Sequence, residues 1–178
     1  ARWEGDIALE EPPPYSPQCN GALERAVRSF KEQRHCMQSA LEGRMQARLA
    51  HDHPVMDWLT EYAATVLRRA RVGKDGRTAI ERIKGRPSHV KVPEFGESVW
   101  FKPLKVKDTA DRYFSGIFLG MRDRSEELVF WDGVGMIRAR DHRRKPPSER
   151  WDKAALEGVV AKPSRPNQNS EDLQIRVI

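Results

Sequence analysis

The sequence predicts an α+β fold, with helices over the first half of the chain and a small antiparallel β-barrel over the second. Two observations predict it. From Leu23 to Leu67 apolar residues recur at three- and four-residue spacing, the period of a helix face. From about Glu97 onward apolar and polar residues alternate in short runs, the period of a strand. Between the two, Arg86 to Pro93 carries two prolines and no apolar stripe.

Residues 1–14 form a lead-in, with Asp6 to Leu9 extended and Glu10 to Pro14 a loop. Pro12, Pro13, Pro14 and Pro17 keep the approach to the first helix non-helical. Asn20 is the expected N-cap, and Gly21 permits close approach where the helix begins. That helix runs to the low forties, with Gly43 a possible break. Leu23, Ala26, Val27, Phe30, Met37 and Leu41 make its apolar stripe. Glu24, Arg28, Lys31 and His35 line a second face beside it. A second helix spans about Val55 to Arg71 and should pack on the first through Val55, Trp58, Leu59, Tyr62, Val66 and Leu67. Thr78 and Glu81 form a capping box for a short third helix that Gly85 ends.

Four strands follow, over Glu97–Lys102, Tyr113–Met121, Glu127–Trp131 and Gly135–Arg140. Arg122 to Glu126 and Asp132-Gly133 supply turns. Val99, Phe101, Ile117, Leu119, Val129 and Ile137 are the expected inward face, with Trp100 opposite. After residue 146 periodicity is lost, apart from a short helix near Trp151 to Glu157.

The chain has 178 residues, enough for one domain or two small ones. Its net charge of +6 and pI near 9.5 point to an acidic partner, nucleic acid before an anionic membrane surface. No apolar run reaches the ~20 residues that a membrane span needs. Two cysteines, Cys19 and Cys36, make no disulfide framework and fit a reducing compartment, nuclear or cytoplasmic rather than secreted.

A carboxylate at the mouth of a loop, with cations stacked behind it, suits a metal and a phosphate chain; a solvated amphipathic helix gives the same spacing. The wider string is Tyr15-Ser16-Pro17-Gln18-Cys19-Asn20-Gly21-Ala22-Leu23-Glu24-Arg25. It resembles the segment bearing the third catalytic carboxylate of retroviral and retrotransposon integrases, which are metal-dependent DNA strand transferases. Copia-like and related branches commonly show Pro-Gln-x-Asn-Gly-x-x-Glu-Arg. The resemblance implies that Glu24 is a metal-binding catalytic residue, and that Tyr15, Asn20, Arg28 and Lys31 lie at the DNA. It also implies Mg2+ or Mn2+ in the intact enzyme, held with two aspartates on a ribonuclease-H-like core. The nearer aspartate would fall before residue 1, so the resemblance implies a chain cut inside its catalytic domain. Residues 1–86 would then be the end of that core, 87–93 a linker, 94–145 an SH3-like DNA-binding barrel and 146–178 a mostly disordered tail. One carboxylate cannot assemble a two-metal site, so this chain alone is expected to hold no metal stably and to transfer no strand.

The other basic cluster is Arg138, Arg140, Arg143, Arg144 and Lys145, where alternation places Arg138 and Arg140 opposite Ala139. It fits DNA contact, with Trp100, Tyr113 and Trp131 as aromatics that could stack on bases. It also fits an edge strand guarded by charge. His51-Asp52-His53 with Cys36 lacks zinc-site spacing. Two other readings remain open: a non-catalytic nucleic-acid-binding module, and a multimerisation domain forming a homo-oligomer.

Overall fold

The computed structural model describes residues 20–104 and 112–166. Helix α1 spans Gly21–Met45, α2 Pro54–Ala70 and α3 Ala79–Lys84. Strands β1 Ser98–Pro103, β2 Phe114–Met121, β3 Leu128–Trp131 and β4 Met136–Arg144 follow, then α4 at Lys153–Glu157. The strands close an antiparallel barrel in chain order, β4 returning to pair with β1. The protein is thus mixed helix and strand around a four-stranded barrel.

Helix α1 passes through Gly43 without a break, because a side chain there would meet open space and only weak helix propensity opposes it. It stops at Gln46, whose φ of 49° is left-handed and whose N–H bonds Glu42 O. The apolar stripe buries from one end only. Leu41 and Met45 are in the core and Met37 packs against it, but Leu23 and Val27 are 63% and 43% exposed.

Helix α2 starts with Pro54, behind an N-cap in which His53 Nδ1 accepts from Val55 N at 3.2 Å. It packs on α1 as expected, where Arg34 Nε donates to Thr60 Oγ1 at 3.0 Å. Its other side lies on the outside of the barrel. Trp58 is 2% exposed and its Nε1 donates to Ala161 O at 2.8 Å. Tyr62 meets Phe118 edge-on, with ring centroids 5.2 Å apart. Trp58, expected to pack on the first helix, lies against the barrel wall.

The capping box of α3 forms from both sides: Glu81 N donates to Thr78 Oγ1 and Thr78 N to Glu81 Oε2. Gly85 ends the helix at φ 71°. The stretch expected as a free linker is pinned. Ser88 accepts from Arg69 Nη2 at 2.6 Å and donates to Glu126 Oε1 at 2.5 Å, and Val90 and Val92 pack against the core. Lys84 also pairs with Glu126, at 3.1 Å.

In the barrel Val99 and Phe101 point inward, as expected, and Phe101 stacks on Phe130 with centroids 4.7 Å apart. Gly116 sits opposite Val99, and a Cβ there would strike the Phe101 ring. The inward residues of β2 and β3 are therefore Gly116, Phe118 and Phe130, not Ile117 and Val129. Val129 pairs with Gly120 and with exposed Arg138. A Cβ built on Gly120 would lie 4.0 Å from the Trp58 and Tyr62 rings, so this side of the wall looks out at α2. The ladder slips between Phe118 and Gly120, a bulge that holds Leu119 and reverses the alternation expected from sequence.

The segment after β4 joins the same core. Ser98 N donates to Arg150 O at 2.8 Å, Asp152 caps α4, and Leu156, Val159 and Ala161 are buried. One apolar cluster thus runs from Leu41 through Trp58 and the barrel to Ala161. Of the stretch expected as a mostly disordered tail, Leu156, Val159 and Ala161 are buried in this cluster, and Trp151 and Ala155 pack against it.

Candidate nucleic-acid interface

Two basic surfaces were expected, one on α1 and one on β4. On α1, Glu24, Arg28 and Lys31 share one open face with Leu23, Val27 and Glu32. All are exposed, so the helical spacing read from sequence is the one built. Asn20 holds the N-cap position, but its side chain makes no capping hydrogen bond, contrary to expectation. Tyr15, with Pro17, Gln18 and Cys19, lies outside the described residues.

The implied divalent metal can be tested against these residues. Glu32 is the second carboxylate on the face, eight residues and so about 12 Å along the helix from Glu24. A single ion takes its oxygen ligands at about 2.0–2.6 Å, so the two cannot share one. Among the described residues no group of three or more His, Cys, Asp or Glu could hold a metal. The described residues therefore do not fit a two-metal site, and no chemical step is assigned to Glu24. His53 is occupied differently: Nδ1 caps α2 and Nε2 lies 3.2 Å from Glu157 O.

Strand β4 runs on to Arg144, four residues beyond its expected end. Its register distributes the five basic residues. Arg138 and Arg140 point outward and both donate to Glu127, at 3.4 and 3.3 Å. Glu127 has a side chain 9% exposed, while those of the two arginines are 62% and 70% exposed, so the pair keeps a net positive charge on the surface. The ladder with β1 slips near Arg140, so that Asp141 pairs with Lys102 and Arg143 with Trp100. Arg143 and Lys145 lie outward with them. Lys145 Nζ donates to Ser115 Oγ at 2.6 Å. Arg144 turns away, 3.3 Å from the buried carboxylate of Glu97, which also accepts from Glu94 N. Four of the five predicted residues thus share the outer face, and Arg144 does not.

No protein-family model, curated protein or solved structure matches the chain.

The strands β1, β2 and β4 carry more than charge on that outer wall. Trp100 is 38% exposed, flanked in register by Ser115 on one side and Arg143 on the other. Arg143 lies over the Tyr113 ring, 4.5 Å from its centroid, and Tyr113 Oη donates to Asp141 Oδ2 at 3.0 Å. Trp131, the third aromatic considered, is buried. His142 points inward beside Phe101 on β1. Burial pushes its imidazole below the usual range, with Asp141 and Glu97 opposing and Arg144 reinforcing.

Sequence reasoning did not find Lys102, Ser115, Glu97 or Glu127. Lys102 and Ser115 join the surface through cross-strand register, which no local pattern specifies. Glu97 and Glu127, each the first residue of an expected strand, are buried anchors for arginines.

Proposed function

We propose that this chain is a DNA-binding part of a retroelement integrase, its principal contact the outer face of β4. The observation that carries this reading is the outward row of Arg138, Arg140 and Arg143 on one strand of a closed barrel, with Lys145 just beyond its end. A chain of net charge +6 adds attraction at longer range. The four-stranded antiparallel barrel is consistent with the SH3-like barrel that the resemblance implies. The Asn20-Gly21-x-x-Glu24-Arg25 string supports the α1 face, with Arg28 and Lys31, as a second contact. On this reading α1 is the helical remnant of a ribonuclease-H-like core, and Mg2+ or Mn2+ belongs with carboxylates that the described residues do not supply. Among the described residues no helix is long and apolar enough to cross a membrane.

A second reading has one specific observation behind it. Leu23 and Val27 continue a stripe that is buried further along α1, so the bare end has the makings of a subunit contact.

Fluorescence anisotropy with labelled duplex DNA across a salt series tests the first reading. Arg138 should be kept, so that buried Glu127 retains a partner. The triple variant Arg140→Ala, Arg143→Ala, Lys145→Ala should then weaken binding and reduce the log–log salt slope by about 2–3. An unchanged slope would refute β4 as the contact.

A further inference from the structure

Trp100 differs from the other described tryptophans in its setting. It stands in the middle strand of the β2–β1–β4 wall, outward between inward Val99 and Phe101. Arg143 is directly across on β4 and Ser115 directly across on β2, and Lys145 Nζ reaches Ser115. Cations therefore approach the indole from both sides of its strand. Tyr113 adds a second ring on the wall, fixed by its bond to Asp141 and covered by the Arg143 guanidinium. That guanidinium is exposed, so its free side offers another planar surface.

Charge alone does not account for an aromatic at this position. A wall that served only to repel strand pairing would do better with Lys or Glu in place of Trp100. A wall that bound only the outside of a duplex would not use an indole either, because duplex bases are stacked within the helix and present no face. Planar side chains set among cations suit a strand whose bases are unpaired, with phosphates meeting Arg143, Lys145 and Lys102 while a base lies on the ring.

We propose that the Trp100–Arg143–Tyr113 surface binds single-stranded polynucleotide by stacking unpaired bases. The proposal rests on the reading of β4 as a nucleic-acid contact and adds the state of the strand it takes. The charge on this wall, Lys102, Arg143 and Lys145 against Asp141, complements a phosphate chain. Trp100 is the stacking residue and Arg143 serves both as a stacking plane and as a phosphate partner.

The test uses the full chain with short oligothymidylate, oligouridylate and a mixed-sequence duplex of equal length. Trp100→Ala should lower affinity for oligothymidylate about tenfold and for the duplex less than about twofold, and Trp100→Phe should recover most of the loss. Adding oligothymidylate to wild type should quench tryptophan fluorescence, and Trp100→Ala should remove that quench. Thermal unfolding midpoints close to wild type for both variants would establish that the loss is not one of folding. The same loss on oligouridylate extends the surface to ribose strands, and a loss confined to oligothymidylate makes DNA the strand; either supports the proposal. Equal losses on single strand and duplex, or none on the single strand, overturn stacking but leave the β4 contact standing. If wild type binds no nucleic acid at all, both readings fall.

Discussion

The barrel has two kinds of wall. Strands β2 and β3 are buried on both faces: every residue of β3 is buried, as are the last six of β2. Strands β1 and β4 are buried on one face and open on the other. All four are strands of one sheet, so strand chemistry does not separate them. The difference is what lies outside. Helix α2 sets Trp58 and Tyr62 over Gly120 and Val129, while Trp100 and Arg143 face solvent. The covered wall carries stability, and the bare wall is where a charged partner can act.

The largest expected effect breaks the covered side. Trp58→Ala removes a fully packed indole and leaves Ala161 O without its donor, so urea unfolding should show a loss of about 3–5 kcal/mol. Trp100→Ala on the bare wall should cost no more than about 1 kcal/mol. Equal costs would dissolve the distinction between the two walls.

Next comes the seam between them. Glu97 is fully buried where β1 begins, accepts from Glu94 N at 2.8 Å and faces Arg144 and Arg150. Glu97→Gln should cost about 1–3 kcal/mol in the same measurement. A smaller effect, about 1 kcal/mol, is expected for Thr78→Ala, which dismantles the capping box of α3.

The smallest effect sharpens the comparison through pH. His142 is on the inward side of a bare-wall strand, and burial lowers its pKa. The unfolded imidazole takes a proton near its usual pKa of about 6.5, before the folded one does. Stability should therefore be unaffected by this group above about pH 6.5 and fall as pH drops through the window below it. In His142→Gln the unfolding midpoint should fall less over that window. A variant whose midpoint falls as steeply as wild type would place the acid sensitivity elsewhere.

Much of the fold could be read from local signals. The start of α1 at Gly21, the Thr78–Glu81 box, the Gly85 stop and three of the four strands lie within a residue or two of expectation. What could not be read depended on contacts between distant residues. Ile117 was assigned inward because alternation was assumed to persist, but the bulge at Leu119 resets it. Val129 was assigned inward although β3 is buried on both faces, so its apolar run does not mark which face is inside. Strand β4 was ended at Arg140 because no apolar alternation continues beyond it, and only pairing with β1 carries the strand on to Arg144. The helical stripe that holds Trp58 was matched to α1, and its contact with the barrel wall depends on residues far along the chain. In the candidate site the charges were legible but their sorting was not. Arg144 differs from Arg143 only in facing Glu97. On α1 the shared face of Glu24, Arg28 and Lys31 followed from helical spacing alone.

The most direct measurement of the central claim is lysine-acetylation footprinting of the chain, free and bound to DNA. Lys102 and Lys145 lie on the bare wall. Lys153 and Lys162 are exposed but belong to the segment after β4, paired with Glu157 and Asp57. The account predicts strong protection of Lys102 and Lys145 by DNA, with Lys153 and Lys162 modified as in the free chain. Protection of Lys153 and Lys162 with Lys102 and Lys145 still reactive would contradict it.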